Sequence, residues 1–340
     1  MAPAHPEDDA LAAGLARWVA HRRGLAAPRV ANLSRPTAGY SAETVFADLT
    51  WTDDRGPHLE PLVVRMAPSP DASSFARYDL LPQWQAQMAV AAAGVPVADP
   101  VLETDPVWVG APFIVMPRVT GHIVGSMAHR DPWLKGLAPD QRRRVHDGLL
   151  ATLAAIHRAD PGPAPDVPRR DNGAELDHWE EYLVWSGHGR PVPALERALA
   201  WCRAHRPADE PDGVLLWGDV RLENMVLDDD GRPRAVLDWD MTSVGAPEHD
   251  LAWLTSLDLT AHHLFGTRVD GFPDRDGTVA RFEELSHRTV HHLEWYETLA
   301  MVRSTAIMTR ISVLRRDAGE PAMLPIADNP VLDLVRARLT

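Results

Sequence analysis

The sequence predicts an α+β protein of two lobes, a small N-terminal lobe built on an antiparallel sheet and a larger, mainly helical C-terminal lobe. The chain has 340 residues, which is more than one small core usually holds. Short β-type runs dominate up to residue 117, whereas apolar residues recur at helical spacing from residue 139 onward. We therefore predict lobes of residues 1–118 and 119–340.

The N-terminal lobe is predicted to contain two helices and a short sheet. Apolar residues share one helical face over residues 8–23, and Gly24 follows where a C-terminal cap belongs. The turn-rich segment 53–57 separates two β-type runs, which is typical of an antiparallel hairpin. We expect a helix over 8–23, strands over 44–49 and 61–66, a helix over 78–93 and a strand that ends at Pro117.

The C-terminal lobe is predicted to be helical apart from one compact β-like segment. Val145, Leu149, Leu153 and Ile156 recur at intervals of three and four residues, so a helix is expected to begin near Pro139. Helical patterns also occur over 179–185, 195–205 and 282–314, and the β-like segment covers 214–239.

The charge of the chain limits its partners. It has 48 acidic and 34 basic residues, a formal net charge of −14. Binding of duplex DNA or of an anionic membrane needs a local basic excess, so we expect neither nucleic acid nor membrane as a partner. An acidic balance is compatible with a cationic substrate and equally with solubility alone.

Cysteine usage and the N-terminal residues indicate a cytoplasmic location. The single cysteine, Cys202, cannot form an internal disulfide, which fits a reducing compartment. The first ten residues are acidic where an export signal would be basic and then apolar. No stretch reaches the ~18 apolar residues that a membrane helix needs.

Three polar residues in the β-like segment indicate the chemistry. Asp219 follows a hydrophobic run at a Gly-Asp turn, Asn224 stands five residues later, and Asp238 follows a second hydrophobic run. Mg²⁺ prefers oxygen ligands and takes few from protein, so one carboxylate and one carboxamide are enough when phosphate and water complete the shell. A further carboxylate can orient an attacking hydroxyl and accept its proton. This set favours magnesium-dependent phosphoryl transfer.

Other enzyme classes lack their defining residues. The sixteen histidines include no His-Glu-x2-His zinc motif. The chain also has no Gly-x-Ser-x-Gly elbow and no Walker lysine loop. Zinc hydrolases, serine hydrolases and P-loop enzymes are therefore disfavoured.

The motifs around the three polar residues resemble those of the aminoglycoside phosphotransferase and choline kinase superfamily, which has a protein-kinase-like fold. The family's His-Gly-Asp-x4-Asn loop corresponds to Trp-Gly-Asp-Val-Arg-Leu-Glu-Asn at 217–224, and the family's Ile-Asp-Trp-Glu motif corresponds to the segment 237–252. The Trp-Gly-Asp variant is similar to a subgroup of actinobacterial proteins, akin to the kinase domains attached to some acyl-CoA dehydrogenases. The resemblance implies that Asp219 is the catalytic residue and that Asn224 and Asp238 are the magnesium ligands.

The resemblance also implies a nucleotide site in the N-terminal lobe. Arg65 matches the basic residue that binds phosphate, where arginine offers a bidentate grip. The segment 33–44 takes the place of the nucleotide loop, and 113–121 that of the hinge that receives adenine. On the following helix Gln83 replaces the acidic partner of Arg65, so that partner is neutral or comes from elsewhere. The implied nucleotide contacts are Arg65, Gly39, Ser41, Met116, Pro117 and Val119.

The expected activity is ATP-dependent and Mg²⁺-dependent O-phosphorylation of a small hydroxylated molecule, with GTP as an alternative donor. Relatives shape the acceptor cleft with C-terminal helices. The acceptor stays open between an aminoglycoside or other amino sugar, a macrolide and a hydroxyacyl thioester. A catalytically weak, nucleotide-binding pseudokinase is a further alternative, because Gln83 and Trp217 depart from the family pattern. No oligomeric state is predicted. The implied acceptor contacts are Trp179, Tyr182, Glu297 and Arg303.

Overall fold

The computed structural model describes residues 6–36, 43–68, 73–187, 191–322 and 329–339. A five-stranded antiparallel sheet forms the N-terminal part and the remainder is mainly helical, which confirms the predicted fold class. Among these residues, no helix combines the length and the apolar composition that crossing a membrane requires.

The sheet is built around one long hairpin. Its strands are β1 (Arg29–Ser34), β2 (Glu43–Asp53), β3 (Gly56–Met66), β4 (Val101–Glu103) and β5 (Phe113–Pro117). Their order across the sheet is β1-β2-β3-β5-β4, and all neighbours pair antiparallel. The β2–β3 hairpin is the predicted one, with both strands longer than the sequence indicated.

Two helices accompany the sheet, and they pack on different cores. Helix α1 (Pro6–Arg23) places Leu15 and Trp18 against the sheet, where the Trp18 ring meets Phe113 edge-on at 5.2 Å between centroids. Helix α2 (Leu80–Ala92) lies on the other side of the sheet, where Leu80 packs with Ile114 and Met116 of β5, and its further buried residues join the core of the helical part. The side of the sheet opposite α1 therefore faces the helices.

The helical part is organised around its longest helix. Its helices are α3 (Pro132–Gly136), α4 (Pro139–Arg158), α5 (Asn172–Ser186), α6 (Pro193–Ala204), α7 (Glu248–Phe265), α8 (Arg275–Ser286), α9 (Leu293–Asp317) and α10 (Val331–Arg338). Helix α9 is buried on most of its surface and contacts α5, α6, α7 and α10.

Two small antiparallel pairs interrupt the helices and position the loop that carries Asp219. The strands are β6 (Val214–Leu216), β7 (Met225–Leu227), β8 (Pro233–Val236) and β9 (Ser243–Gly245). β6 pairs with β9 and β7 pairs with β8. The segment 214–239 that the sequence predicted to be β-like contains β6, β7 and β8, and β9 follows it.

Helix prediction differed from the structure in the last third of the chain. The helical pattern over 282–314 is broken between α8 and α9, because His287 and His292 take left-handed backbone angles with φ of +56° and +53°. Helix α7 was not predicted, since its first residues were interpreted only as part of a sequence motif.

Candidate active site

The turn that carries Asp219 is held by one buried carboxylate. Asp250, in the first turn of α7, accepts hydrogen bonds from the backbone N–H groups of Trp217 at 2.9 Å and Gly218 at 2.8 Å. His157 Nε2 lies 2.9 Å from the same carboxylate, and both side chains are buried. Gly218 has a φ of +90°, and a Cβ there would lie 2.3 Å from a backbone carbonyl oxygen. Only glycine fits this position.

The Asp219 carboxylate is itself oriented by two side chains. Asn224 Nδ2 donates to Oδ2 at 2.7 Å, and Trp253 Nε1 donates to Oδ1 at 2.8 Å. Each carboxylate oxygen retains a lone pair, so a hydroxyl can still donate to it. The Oδ1 atom of Asn224 accepts no hydrogen bond from any described residue and is available as a ligand.

Asp238 is brought next to Asn224 by pairing of the backbone. The N–H of Leu237 donates to the carbonyl of Asn224 at 2.8 Å. The indole N–H of Trp217 donates to the carbonyl of Leu237, also at 2.8 Å. The tryptophan that replaces the family's histidine thus ties the Asp219 loop to Asp238. Asp238 has a φ of +60°, a conformation that is uncommon outside glycine and is often found at functional sites.

The local electrostatics suit a cation. Burial raises the pKa of Asp238 to about 7, and the Asp240 and Asp219 carboxylates contribute, while Arg65 opposes them. Within the described ranges, no group of three or more His, Cys, Asp or Glu residues could hold a metal ion. A metal bound by Asn224 and Asp238 would therefore take its other ligands from phosphate and water, which is the coordination that Mg²⁺ prefers.

Arg65 lies on the face of the sheet that is turned toward the helices. Leu62, Val64 and Met66 of β3 are buried in the core beneath α1. Side chains alternate along a strand, so Val63 and Arg65 point to the opposite face. The alternation that buries one half of β3 therefore delivers Arg65 toward Asp238.

The acidic partner of Arg65 is Asp240. Arg65 Nη2 lies 2.8 Å from Asp240 Oδ1 and 3.6 Å from Asp238 Oδ1. Burial works against the charge, but the Asp240 carboxylate keeps the pKa of Arg65 above its usual value. The Tyr78 hydroxyl donates to Asp240 at 3.0 Å, and Gln83 is buried on α2 in contact with Tyr78. The sequence left open whether the partner of Arg65 is neutral or comes from elsewhere in the chain. In the structure the partner is an acid from the helical part.

Three of the predicted nucleotide contacts lie together at the end of β5. Met116 is buried and pairs with β3, Pro117 ends the strand, and Val119 follows it. The backbone N–H of Val119 donates no hydrogen bond to the described backbone, so it is free to meet an adenine. Gly39 and Ser41 lie outside the described residues.

The four residues implied as acceptor contacts are buried rather than open to a cleft. Arg303 lies between the rings of Trp179 and Trp253, 5.1 Å from each centroid, and Trp253 in turn bonds Asp219. Glu297 is engaged by Arg275 at 2.7 Å. Packing of α5, α7 and α9 removes these side chains from the surface. The exposed fractions are 2% for Trp179, 4% for Tyr182, 1% for Glu297 and 4% for Arg303.

A cleft of about 730 Å³ lies beside the loop that carries Asp219. Residues 220–223, which directly follow Asp219, form part of its wall, and the short helical turn 128–130 forms another part. Its volume is that of a small-molecule site. The wall is mostly apolar, and its apolar members include Leu149, Leu254, Leu257, Leu264, Phe265 and Phe272.

The charged residues of this cleft are mainly basic. Both acids in its wall are paired with arginines of the same wall: Arg221 with Glu223 and Arg268 with Asp258, each at 3.4 Å. Arg130 forms no ion pair with any described residue and lies 5.6 Å from the centroid of the exposed Phe265 ring. Among the described residues of its wall, the cleft therefore offers a cation without an ion-pair partner and no unpaired carboxylate.

Sequence reasoning missed the residues that hold the catalytic groups in place. Asp240 lies two residues after Asp238 in the segment 237–252, but the family motif indicates no role for it. Asp250 and Trp253 are three residues apart on α7 and so share one face of the helix. That spacing was a usable signal, but it needed α7 to be recognised as a helix.

The sequence profile of the APH family, described as the phosphotransferase enzyme family, matches residues 32–285. The matched range contains Arg65, Asp219, Asn224 and Asp238. This match confirms the family resemblance that the two motifs indicated.

Curated relatives match over a shorter range. Acyl-CoA dehydrogenase family member 11 of Gallus gallus is 30% identical over 183 residues, which are 51% of this chain. The match covers only 22% of that relative's length. The likeness therefore concerns one part of a much longer protein.

Solved structures share the fold over almost the whole chain. A protein from Ralstonia eutropha, named by inference as an aminoglycoside phosphotransferase, gives a TM-score of 0.67 at 22% identity, with 96% of this chain and 94% of that chain covered. The GDP complex of wild-type aminoglycoside 2'-phosphotransferase-IIIa gives a TM-score of 0.56 at 11% identity, with 94% of each chain covered. At these identities the likeness establishes the fold.

Proposed function

The chain belongs to the APH phosphotransferase enzyme family, and we propose that it transfers the terminal phosphoryl group of ATP, or alternatively GTP, to a hydroxyl of a small molecule with the help of Mg²⁺. The observation that carries the proposal is the juxtaposition of three residues: Asn224 bonds the Asp219 carboxylate, and the N–H of the residue before Asp238 bonds the Asn224 carbonyl, with Arg65 facing them from the sheet. The GDP bound to a neighbour of the same fold supports a nucleotide as the donor.

Asp219 is proposed to act on the acceptor. Its carboxylate, held by Asn224 and Trp253, would accept a hydrogen bond from the attacking hydroxyl and take its proton as the new P–O bond forms. Trp253 and Asn224 restrict the rotation of this carboxylate, so little reorientation is needed when the acceptor binds.

Asn224 Oδ1 and the Asp238 carboxylate are proposed to hold Mg²⁺. The free carboxamide oxygen and the positive φ of Asp238 both fit this role. When bound, the cation would neutralise charge on the phosphates. Arg65 would bind phosphate oxygens from the side of the sheet. The other proposed nucleotide contacts are Met116, Pro117, Val119, Gly39 and Ser41.

The acceptor is proposed to bind in the 730 Å³ cleft beside the loop of Asp219. An aminoglycoside carries several ammonium groups and needs free carboxylates, and the described wall offers none. An alcohol on an apolar chain with an anionic group fits the apolar wall and Arg130 better. Among the candidate acceptors this favours a hydroxyacyl thioester, although the net charge of the whole chain is −14.

The pseudokinase alternative is less well supported. The neutral Gln83 and the unusual Trp217 were its basis, and both are compensated, by Asp240 and by the bond from Trp217 to the carbonyl of Leu237. A relative that has lost activity would be expected to lose one of Asp219, Asn224 or Asp238, and all three are present.

A nucleotide-consumption screen tests the proposal. The purified chain would be incubated with ATP or GTP, with and without Mg²⁺, against hydroxyacyl thioesters, macrolides and aminoglycosides. We expect Mg²⁺-dependent consumption that requires an acceptor and is highest with a hydroxyacyl thioester. Asp238→Ala should abolish Mg²⁺-dependent nucleotide binding in calorimetry. Equal Mg²⁺-dependent binding by wild type and variant would rule out Asp238 as a ligand.

A further inference from the structure

The contact between Arg65 and Asp240 crosses from the sheet to the helical part of the molecule. Arg65 is near the end of β3, whereas Asp240 follows β8 in the turn that leads to β9. The two side chains meet at 2.8 Å, and their exposed fractions are 15% for Arg65 and 3% for Asp240. An ion pair with so little exposure is weakly screened by solvent, so its geometry is strongly restrained.

Tyr78 makes this contact a three-membered network. Its hydroxyl lies 3.0 Å from Asp240 Oδ1 and 3.1 Å from Arg65 Nη2, so one carboxylate oxygen receives both donors. Burial raises the pKa of Tyr78, which therefore remains a neutral hydroxyl. Gln83 touches the network only through Tyr78. Helix α2, which would supply the acid in the family pattern, thus contributes an uncharged contact from Gln83 to Tyr78.

Two atoms of the network have no hydrogen-bond partner among the residues that the structure describes. Arg65 Nε is buried and donates no hydrogen bond, and Asp240 Oδ2 is buried and accepts none. A buried guanidinium N–H without an acceptor is costly. Since Asp240 engages only Nη2, a phosphate oxygen of a bound nucleotide could accept from the unpaired Nε once the site adjusts around it.

We propose that Asp240 is the positioning residue for Arg65: it replaces the acid missing at Gln83 and, with Tyr78, orients the guanidinium toward the nucleotide phosphates across the two parts of the fold. The inference rests on the proposed function, since it assumes that Arg65 binds phosphate. It implies that phosphate binding by Arg65 depends on contact between the sheet and the segment that carries Asp238, and not on the position of α2.

Calorimetric titrations of Asp240→Asn with ATP and with adenosine, each with and without Mg²⁺, test this role. Adenosine has no phosphate and reports on the base site alone. We expect ATP binding to weaken about tenfold, or about 1.4 kcal/mol, both with and without Mg²⁺, and adenosine binding to change less than twofold. Asp230→Asn, in the exposed turn between β7 and β8, is the matched control and should bind both as wild type does.

Tyr78→Phe provides a second test that does not leave a buried charge unpaired. It should weaken ATP binding about threefold and leave adenosine binding unchanged. In the double variant with Asp240→Asn, the added loss should be smaller than threefold, because both side chains act on the same guanidinium. If Asp240→Asn does not fold, the Tyr78→Phe comparison decides alone, and equal effects on ATP and adenosine would overturn the proposal.

The other outcomes each contradict the proposal in a distinct way. ATP affinity lost only when Mg²⁺ is present would identify Asp240 as a metal ligand. An equal loss of affinity for ATP and for adenosine would show that Asp240 has a purely structural role. Unchanged affinity for both would show that Asp240 has no role in nucleotide binding. A wild-type chain that binds adenosine but gains nothing from the phosphates of ATP would overturn the proposed function itself, together with this inference.

Discussion

The proposed catalytic segment and the proposed acceptor cleft are neighbours built on opposite principles. In the segment over 217–240, hydrogen bonds tie Asp219 to Asn224 and Trp253, and they tie the backbone before Asp219 to Asp250, which lies on the same helix as Trp253. The cleft is assembled from five separate stretches of chain, and its wall is mostly apolar. Hydrogen bonds demand fixed geometry, whereas apolar contacts tolerate exchange of side chains. If the proposed assignments hold, the geometry of the catalytic segment is rigidly specified, whereas acceptor preference can change by substitution in the cleft wall.

The largest expected effect comes from removing the proposed base. Asp219→Asn keeps the shape of the side chain but removes the carboxylate, so turnover should fall by about two orders of magnitude or more with every acceptor. Nucleotide affinity should stay nearly unchanged. Steady-state kinetics and calorimetry on the same preparation check both parts. Near-normal turnover with any acceptor would remove Asp219 as the base.

A charge placed in the cleft should separate acceptor binding from chemistry. Leu257→Glu on α7 adds a carboxylate to the apolar wall, and we expect kcat/KM for a hydroxyacyl thioester to fall about thirtyfold, or about 2 kcal/mol, with ATP affinity unchanged. Leu259→Glu, on the same helix but outside the cleft, is the matched control. A larger effect from the control than from Leu257→Glu would place the acceptor elsewhere.

Arg65→Lys tests the proposed nucleotide site next to the catalytic segment. Lysine keeps the charge but loses the planar fork, so ATP should bind about tenfold more weakly while AMP is affected less. Arg55→Lys in the exposed turn of the same hairpin serves as the control. If both nucleotides bind the Arg65 variant as they bind wild type, Arg65 is not a phosphate ligand, and the grip must come from the backbone over 38–41.

The smallest expected effect on ATP affinity comes from changing Gln83, the residue that departs from the family pattern. Gln83→Glu restores the expected acid, but Asp240 already occupies Nη2 of Arg65, so ATP affinity should change less than twofold. The melting temperature should fall, because a carboxylate is added at a position only 4% exposed. Gln87→Glu buries a similar charge on α2 away from Tyr78 and should show a comparable fall. ATP binding tightened severalfold only in the Gln83 variant would mean that the new acid displaces Asp240.

The residue pattern alone was enough to predict the fold class, the β2–β3 hairpin and the proposed catalytic set. Alternation and helical spacing are local properties. Asn224 directly precedes β7 and Asp238 follows β8, so pairing of these two strands brings both residues together, and Asp219 stands only five residues before Asn224. The departure at Gln83 was detectable without any structure because the family resemblance implies an acid at that position.

Only the tertiary structure decided which acid meets Arg65 and where an acceptor can bind. Arg65 and Asp240 are separated by 175 residues, and their contact depends on how the sheet packs on the helical part. Trp179, Tyr182, Glu297 and Arg303 have side chains typical of a binding site, yet packing of α5, α7 and α9 buries them. Burial and long-range pairing depend on how distant elements pack, which no local pattern contains.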